Sequence, residues 1–220
     1  MKRIIIICEG PTEKEFCEKL LYSHFFNMSI LIQWVYPKWS QGGHISWSYL
    51  LNQIVVTLKQ DTTAFVTTFI DLYGLHKPEL FPNWNEALIL KRNPYQRVIK
   101  LEQGMSDALP KNLRHRFIPN IILHEFEGLL FNDLSHFENQ FNENEFRNKT
   151  ALINVLNDFN NPELINETKE NSPSHRLENV IFNNFKKTIH GIQIAESIGL
   201  IRLRQKSIHF NDWIKRLESI

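Results

Sequence analysis

Residues 3–8, RIIIIC, narrow the fold more than any other stretch of the chain. Four consecutive β-branched side chains leave no polar face. The segment therefore reads as a strand covered on both sides, as in a parallel sheet with helices on each face. The run stops at Glu9-Gly10-Pro11. A helix over 12–26 follows, with Thr12 and Glu15 as a capping box and Phe16, Leu20, Leu21 and Phe25 along one face. A carboxylate at the C-terminal tip of such a strand stands where open α/β sheets keep their ligands.

The same grammar continues along the chain. Residues 30–36 (ILIQWVY), 64–72 (AFVTTFIDL) and 116–123 (RFIPNIIL) read as further strands. Helices are expected over 46–59, after a glycine loop, and over 95–109, with 73–93 as a long loop. Beyond Asp133 strand runs cease and helical periodicity takes over, broken at NNPELIN and ENSPSH. The expectation is an α/β fold: a mainly parallel sheet with helices on both faces over residues 1–133, and a C-terminal helical appendage over 134–220 packed on the same core. A chain of 220 residues can bury such a core, and 16 Phe and 5 Trp make it an aromatic one.

The apolar run after Met1-Lys2-Arg3 is too short for a secretory signal, and no stretch approaches the ~20 apolar residues of a membrane span. Cys8 and Cys17 read as small core residues of a reducing compartment, so a cytoplasmic location without a membrane partner is expected. The net charge of +1 conceals a gradient: residues 124–170 carry 3 basic and 10 acidic side chains, residues 171–220 carry 8 and 4. A basic tail can approach phosphates, whereas the near-neutral total argues against a protein that coats nucleic acid.

Acids recur at the ends of the expected strands. Glu9 follows the first, Asp71 ends the third, and Glu125 and Glu127 follow the fourth. In a parallel sheet these tips lie along one edge, where clustered carboxylates repel one another unless a cation joins them. Oxygen-only ligands suit Mg²⁺ or Mn²⁺. Singly, each acid has a plainer role: Glu13 complements the helix dipole, Asp71 caps a turn, and one of Glu125 and Glu127 lies on a helix surface. The joint pattern carries the metal reading.

EGPTE (9–13), DLYG (71–74) and HEFEGLLF (124–131) together resemble the TOPRIM domain of topoisomerases, primases and overcoming-lysogenization-defect nucleases. The chain more closely resembles a bacterial TOPRIM-like family catalogued as domain of unknown function 4276, whose later motifs are similar to NPELIN, SPSHRLE, KKTIHG, AESIGLIRLR and HFNDWIKRLE. The resemblance implies a Mg²⁺- (or Mn²⁺-) dependent phosphodiester hydrolase, a nuclease of a bacterial defence or mobile-element system. Glu9, Asp71 and Lys187 would be catalytic, and Glu9, Glu13, Asp71, Glu127 and Glu125 would bind metal. Arg176, Lys186, His190 and Tyr73 would contact a nucleic acid substrate, DNA or RNA. The usual Asp-x-Asp is here Asp71-Leu72-Tyr73, so one acid is missing. There is no GxxxxGK[ST] loop, so the ABC-type ATPase implied by the resemblance would be a separate protein.

The alternative is a TOPRIM-fold module that binds or regulates without cutting. A zinc site built on His124 and Glu127, with His76, His115 or His44 as a third ligand, lacks an HExxH or paired-cysteine motif. A dinucleotide-binding fold would need glycines where EGPTEK has one glycine followed by proline.

Overall fold

In a computed structural model of the chain, residues 1–36, 45–165, 171–181 and 185–220 are described. His44 and the glycine loop before it lie outside them, as does Asn166 of NNPELIN.

The isoleucine run forms β1 (Lys2–Cys8), the central strand. It is followed by α1 (Pro11–Phe16), a π-helical turn at Cys17–Leu21, and α2 (Tyr22–Asn27). The expected single helix is therefore interrupted by one wide turn. Its N-terminus also differs from expectation. The N-cap is Gly10, whose N–H donates to Glu13 Oε2 at 2.9 Å, while Glu15 pairs with Lys14. Pro11 sets this register: it lacks an N–H and has a helical φ, so it belongs in the first turn.

β2 (Ile30–Val35) pairs parallel with β1 on one side. A two-residue β3 (Ile45–Ser46) and α3 (Trp47–Gln60) lead to β4 (Phe65–Asp71), which pairs parallel with β1 on the other side. The stretch expected as a long loop is more ordered than that. It holds β5 (Leu75–His76), paired parallel with β3, and α4 (Trp84–Ile89).

After α5 (Pro94–Asp107) the expected fourth strand arrives in two pieces, β6 (Phe117–Ile118) and β7 (Ile121–Ile122), both parallel to β4. Pro119 breaks it, because proline cannot donate to the ladder. Thr68 fills the gap: its Oγ1 donates to Asn120 O at 2.6 Å and accepts from Asn120 N at 3.0 Å. The main sheet thus runs β2-β1-β4-β6, with β7 beside β4.

Alternation along β1 sorts its side chains between two cores. Ile4, Ile6 and Cys8 join Phe16, Phe69 and Phe126 on one face; Ile7 joins Ile54, Val66, Val98 and Leu101 on the other. Both faces are covered by helices. The C-terminal part is helical, with α6 (Leu134–Glu138), α7 (Lys149–Asp158), α8 (Pro173–Val180), α9 (Ile192–Lys206) and α10 (Ile208–Glu218). Its residues Phe210 and Trp213 enter the first core, Phe210 5.9 Å from Phe16 and Trp213 stacked 5.0 Å from Phe69. Trp213 Nε1 also donates to Thr67 Oγ1 at 2.8 Å, fixing α10 to the middle of β4. Among the described residues no helix is long and apolar enough to cross a membrane.

Candidate functional site

Parallel pairing of β1 with β4 sets Cys8 opposite Phe69, so the chain leaves both strands at the same edge. There Glu9 N donates to Phe69 O at 3.0 Å. Asp71 N in turn donates to Glu9 Oε2 at 2.8 Å, and Asp71 Oδ1 accepts from Phe126 N at 3.0 Å. One acid after β1 and one at the end of β4 thus tie together the tips of β1, β4 and β7. Glu13 is held close by its bond to Gly10 N. Glu127 comes from the 3₁₀ turn Phe126–Leu130 that follows β7. Its carboxylate is 2% exposed and pairs with Lys187 Nζ at 2.7 Å through Oε1, while Oε2 is buried with no hydrogen-bond partner.

The charges of Glu9, Glu13, Asp71 and Glu127 act on one another. Burial, then the Glu13 charge, pushes Glu9 up to about 8; burial opposed by amide hydrogen bonds, and the Glu127 charge, push Glu13 up to about 7. Asp71 is raised well above the carboxylate range by burial and by the other three acids, and Glu127 is raised by burial despite Lys187. Lys187 is raised by Glu127, Glu125 and Asp71 against the opposing effect of its own burial. Four buried acids therefore meet at this edge, and burial together with their mutual repulsion holds them toward the protonated form.

All the donors are carboxylate oxygens, the set that suits a hard cation such as Mg²⁺ or Mn²⁺. As the side chains lie, however, no three His, Cys, Asp or Glu among the described residues form a metal-holding group. The hydrogen bonds explain why: Glu9, Glu13 and Asp71 each accept a backbone N–H, and Glu127 is drawn to Lys187. The acids are gathered at one place, each held by its own hydrogen bond or ion pair.

The other expected residues are distributed differently. Both oxygens of Glu125 accept from Ser174, from its N–H at 2.9 Å and its Oγ at 3.0 Å. Ser174 is therefore a clamp on Glu125, and the N-cap of α8 is Ser172. Of the KKTIHG residues, Lys187 reaches the acids. Lys186 is exposed and donates its N–H to His190 Nδ1, and the His190 ring lies 5.3 Å from Phe141. Arg176 donates from Nε to Asn171 O at 2.7 Å and lines a groove between α7 and α8. Tyr73, 42% exposed, lies with its ring 5.6 Å from His124. His124 is pushed down to about 4 by burial and by the charge of Arg97, and so is neutral near pH 7.

Two further residues shape this edge. Gly74 lies so close to Glu9 that a Cβ would overlap both carboxylate oxygens and stand 2.5 Å from Cδ. Its place in DLYG was the only signal in the sequence. Arg97, on α5, has no such signal. It is one of several cations on a helix surface, and the fold alone brings it near Tyr73 and His124.

A family model described as "Domain of unknown function (DUF4276)" matches residues 8–218. The chain belongs to that family. The DUF4276 match runs from the last residue of β1 to the end of α10, so it contains all four carboxylates and Lys187. No curated protein and no solved structure matches the chain.

Proposed function

We propose that this chain is a TOPRIM-type, Mg²⁺-dependent (or Mn²⁺-dependent) phosphodiester hydrolase. Its substrate would be nucleic acid, in a bacterial defence or mobile-element system served by a separate ATPase. The observation that carries the reading is the convergence of Glu9, Glu13, Asp71 and Glu127 at one sheet edge, buried, with Lys187 paired to Glu127. A divalent ion there would supply charge to offset that building on a phosphoryl oxygen and would strengthen water as a nucleophile. Asp71 and Glu9, each fixed by a backbone amide, would hold it from the strand tips, and Glu127 and Glu13 would close it from the side. Lys187, about half exposed, stands where it can meet an anion as well as Glu127.

A second reading is a binding or regulatory module of the same fold. It is favoured by Tyr73 standing where TOPRIM domains carry another acid and by the absence, among the described residues, of a ready-made three-ligand group. Calorimetric titration with Mg²⁺ and Mn²⁺, wild type beside Glu9→Gln and Asp71→Asn, followed by incubation with supercoiled plasmid and with tRNA, decides between them. The hydrolase requires metal binding and cleavage that both substitutions abolish. Metal binding without cleavage of either substrate supports the module. No binding at millimolar metal refutes the metal site.

A further inference from the structure

We infer that Arg97, with Tyr73 beside it, is a phosphate-binding arm that holds a nucleic acid strand against the acidic edge. This inference rests on the proposed nuclease reading and names how that site would seize its substrate.

The guanidinium lies in the first turns of α5 with Cζ 5.0 Å from the centre of the Trp84 ring. Stacking on an aromatic face leaves the N–H edge of a guanidinium to find acceptors. Arg97 Nε is buried and has no hydrogen-bond partner. Other arginines show what a structural role looks like in this chain. Arg116 donates to the carbonyls of Leu58, Asp61 and Ala64 at 2.7–2.8 Å, and Arg204 forks onto Glu218. Among the described residues no carboxylate pairs with Arg97, although four lie at the neighbouring edge. A buried guanidinium N–H without an acceptor is costly to keep. The other N–H groups of this half-buried side chain are within reach of an anionic ligand, which would also offset the cost of the buried one.

Position makes the ligand a phosphodiester. Arg97 is close enough to His124 to oppose its protonation and to Tyr73 to feel its phenol. Tyr73 is two residues beyond Asp71, and His124 is three before Glu127. Val98 and Leu101 of α5 belong to the core on one sheet face, whereas Ile192 and Ile194, just after Lys187, belong to the other. Lys187 thus meets the acids from one sheet face, and Arg97 stands beside Tyr73 and His124 on a helix that covers the other. An edge that offers carboxylates for a cation, flanked by a guanidinium for an anion, fits a backbone with successive phosphates.

The test is fluorescence anisotropy of a labelled oligodeoxythymidine 20-mer in EDTA, at several salt concentrations, with wild type, Arg97→Met and Arg97→Lys. Expected is a roughly tenfold or greater loss for Arg97→Met, with the log-log salt slope reduced by about one, and partial retention by Arg97→Lys. Melting curves of all three confirm folding, and Arg97→Lys decides if Arg97→Met does not fold. Wild-type affinity and salt slope in Arg97→Met overturns the inference, as does a wild-type protein that does not bind the oligonucleotide. Inorganic phosphate is titrated as a competitor; if millimolar phosphate displaces the strand completely and binds in an Arg97-dependent way, the site belongs to free phosphate and the inference falls. Calorimetry with Mg²⁺ on the same samples separates the two readings. Oligonucleotide binding that depends on Arg97 without metal binding refutes the hydrolase and leaves the arm. Metal binding and cleavage indifferent to Arg97→Met do the reverse.

Discussion

Gly74→Ala should damage the site through Glu9 while leaving the strands in place. Gly74 does not use a left-handed φ, so an added methyl is a question of space alone. The new Cβ would stand 2.5 Å from Glu9 Cδ and overlap both oxygens, whereas carbon atoms in contact sit about 3.5–4.0 Å apart. The carboxylate must therefore retreat by about 1 Å. That is enough to break its 2.8 Å hydrogen bond from Asp71 N, since such bonds weaken steeply beyond ~3.2 Å. Leaving that partly buried amide unpaired costs about 1–3 kcal/mol. For a chain of this size each kcal/mol moves Tm by about 2–4 °C, so the variant should melt roughly 2–12 °C below wild type. Calorimetric Mg²⁺ binding should weaken at the same time. Because the substitution acts through one side chain, Glu9→Gln added to it should weaken metal binding no further, a non-additivity that a double-mutant cycle reads directly. A Gly74→Ala protein that melts and binds Mg²⁺ like wild type would refute the packing of Glu9 on Gly74, and with it the geometry of the strand-tip acids.

The pH dependence has a defined sign. Glu9 and Glu13 titrate near 8 and 7 in the folded protein against 4.5 as ordinary carboxylates, so in this interval the folded state holds more protons than the unfolded one. Their contribution to stability is complete below about 4.5 and is lost as pH rises toward 8. His209, held up by Glu102, acts in the same direction, and His124 and His136, both depressed, act oppositely. The melting temperature of Glu9→Gln subtracted from that of wild type, followed from pH 5 to 8.5 in EDTA, should isolate the fall; a flat difference would contradict the burial of Glu9. Lys187→Met should tighten Mg²⁺ binding severalfold, because it removes a competing cation from Glu127, yet abolish any cleavage; weaker Mg²⁺ binding would count against the charge argument. Thr67→Val, nearly isosteric, strands the buried Trp213 indole N–H and should cost about 1–3 kcal/mol in denaturant unfolding without affecting metal binding.

What the sequence made legible follows from what local patterns can encode. The isoleucine run had one reading, and the parallel sheet with helices on both faces followed from it. Parallel topology alone brings strand tips to one edge, so the meeting of Glu9, Asp71 and Glu127 could be anticipated from positions far apart in the chain. Details that depend on one atom's partner were not encoded that way. The broken fourth strand required knowing that Thr68 would substitute for the ladder at Pro119-Asn120, a tertiary choice made across 52 residues. The capping pair shifted because Pro11 settles the helix start, which moved Glu13 to the position where its carboxylate returns to Gly10. Glu125 and Glu127 were indistinguishable in HEFEGLLF. They separate because the 3₁₀ turn sends Glu125 to Ser174 and Glu127 toward Lys187.

Arg97 shows the same limit from the other side. A cation acquires meaning from what it fails to meet, and no periodicity reveals an unmet bond. Its neighbours Trp84, Tyr73 and His124 come from α4, the turn after β4 and the segment after β7, and nothing in their spacing joins them. The acids could be foreseen because strand ends are countable, whereas a counter-charge arriving from the opposite sheet face could not. The contact that places Arg97, its Cζ 5.0 Å from the centre of the Trp84 ring, is made between α4 and α5 and is written in neither helix alone.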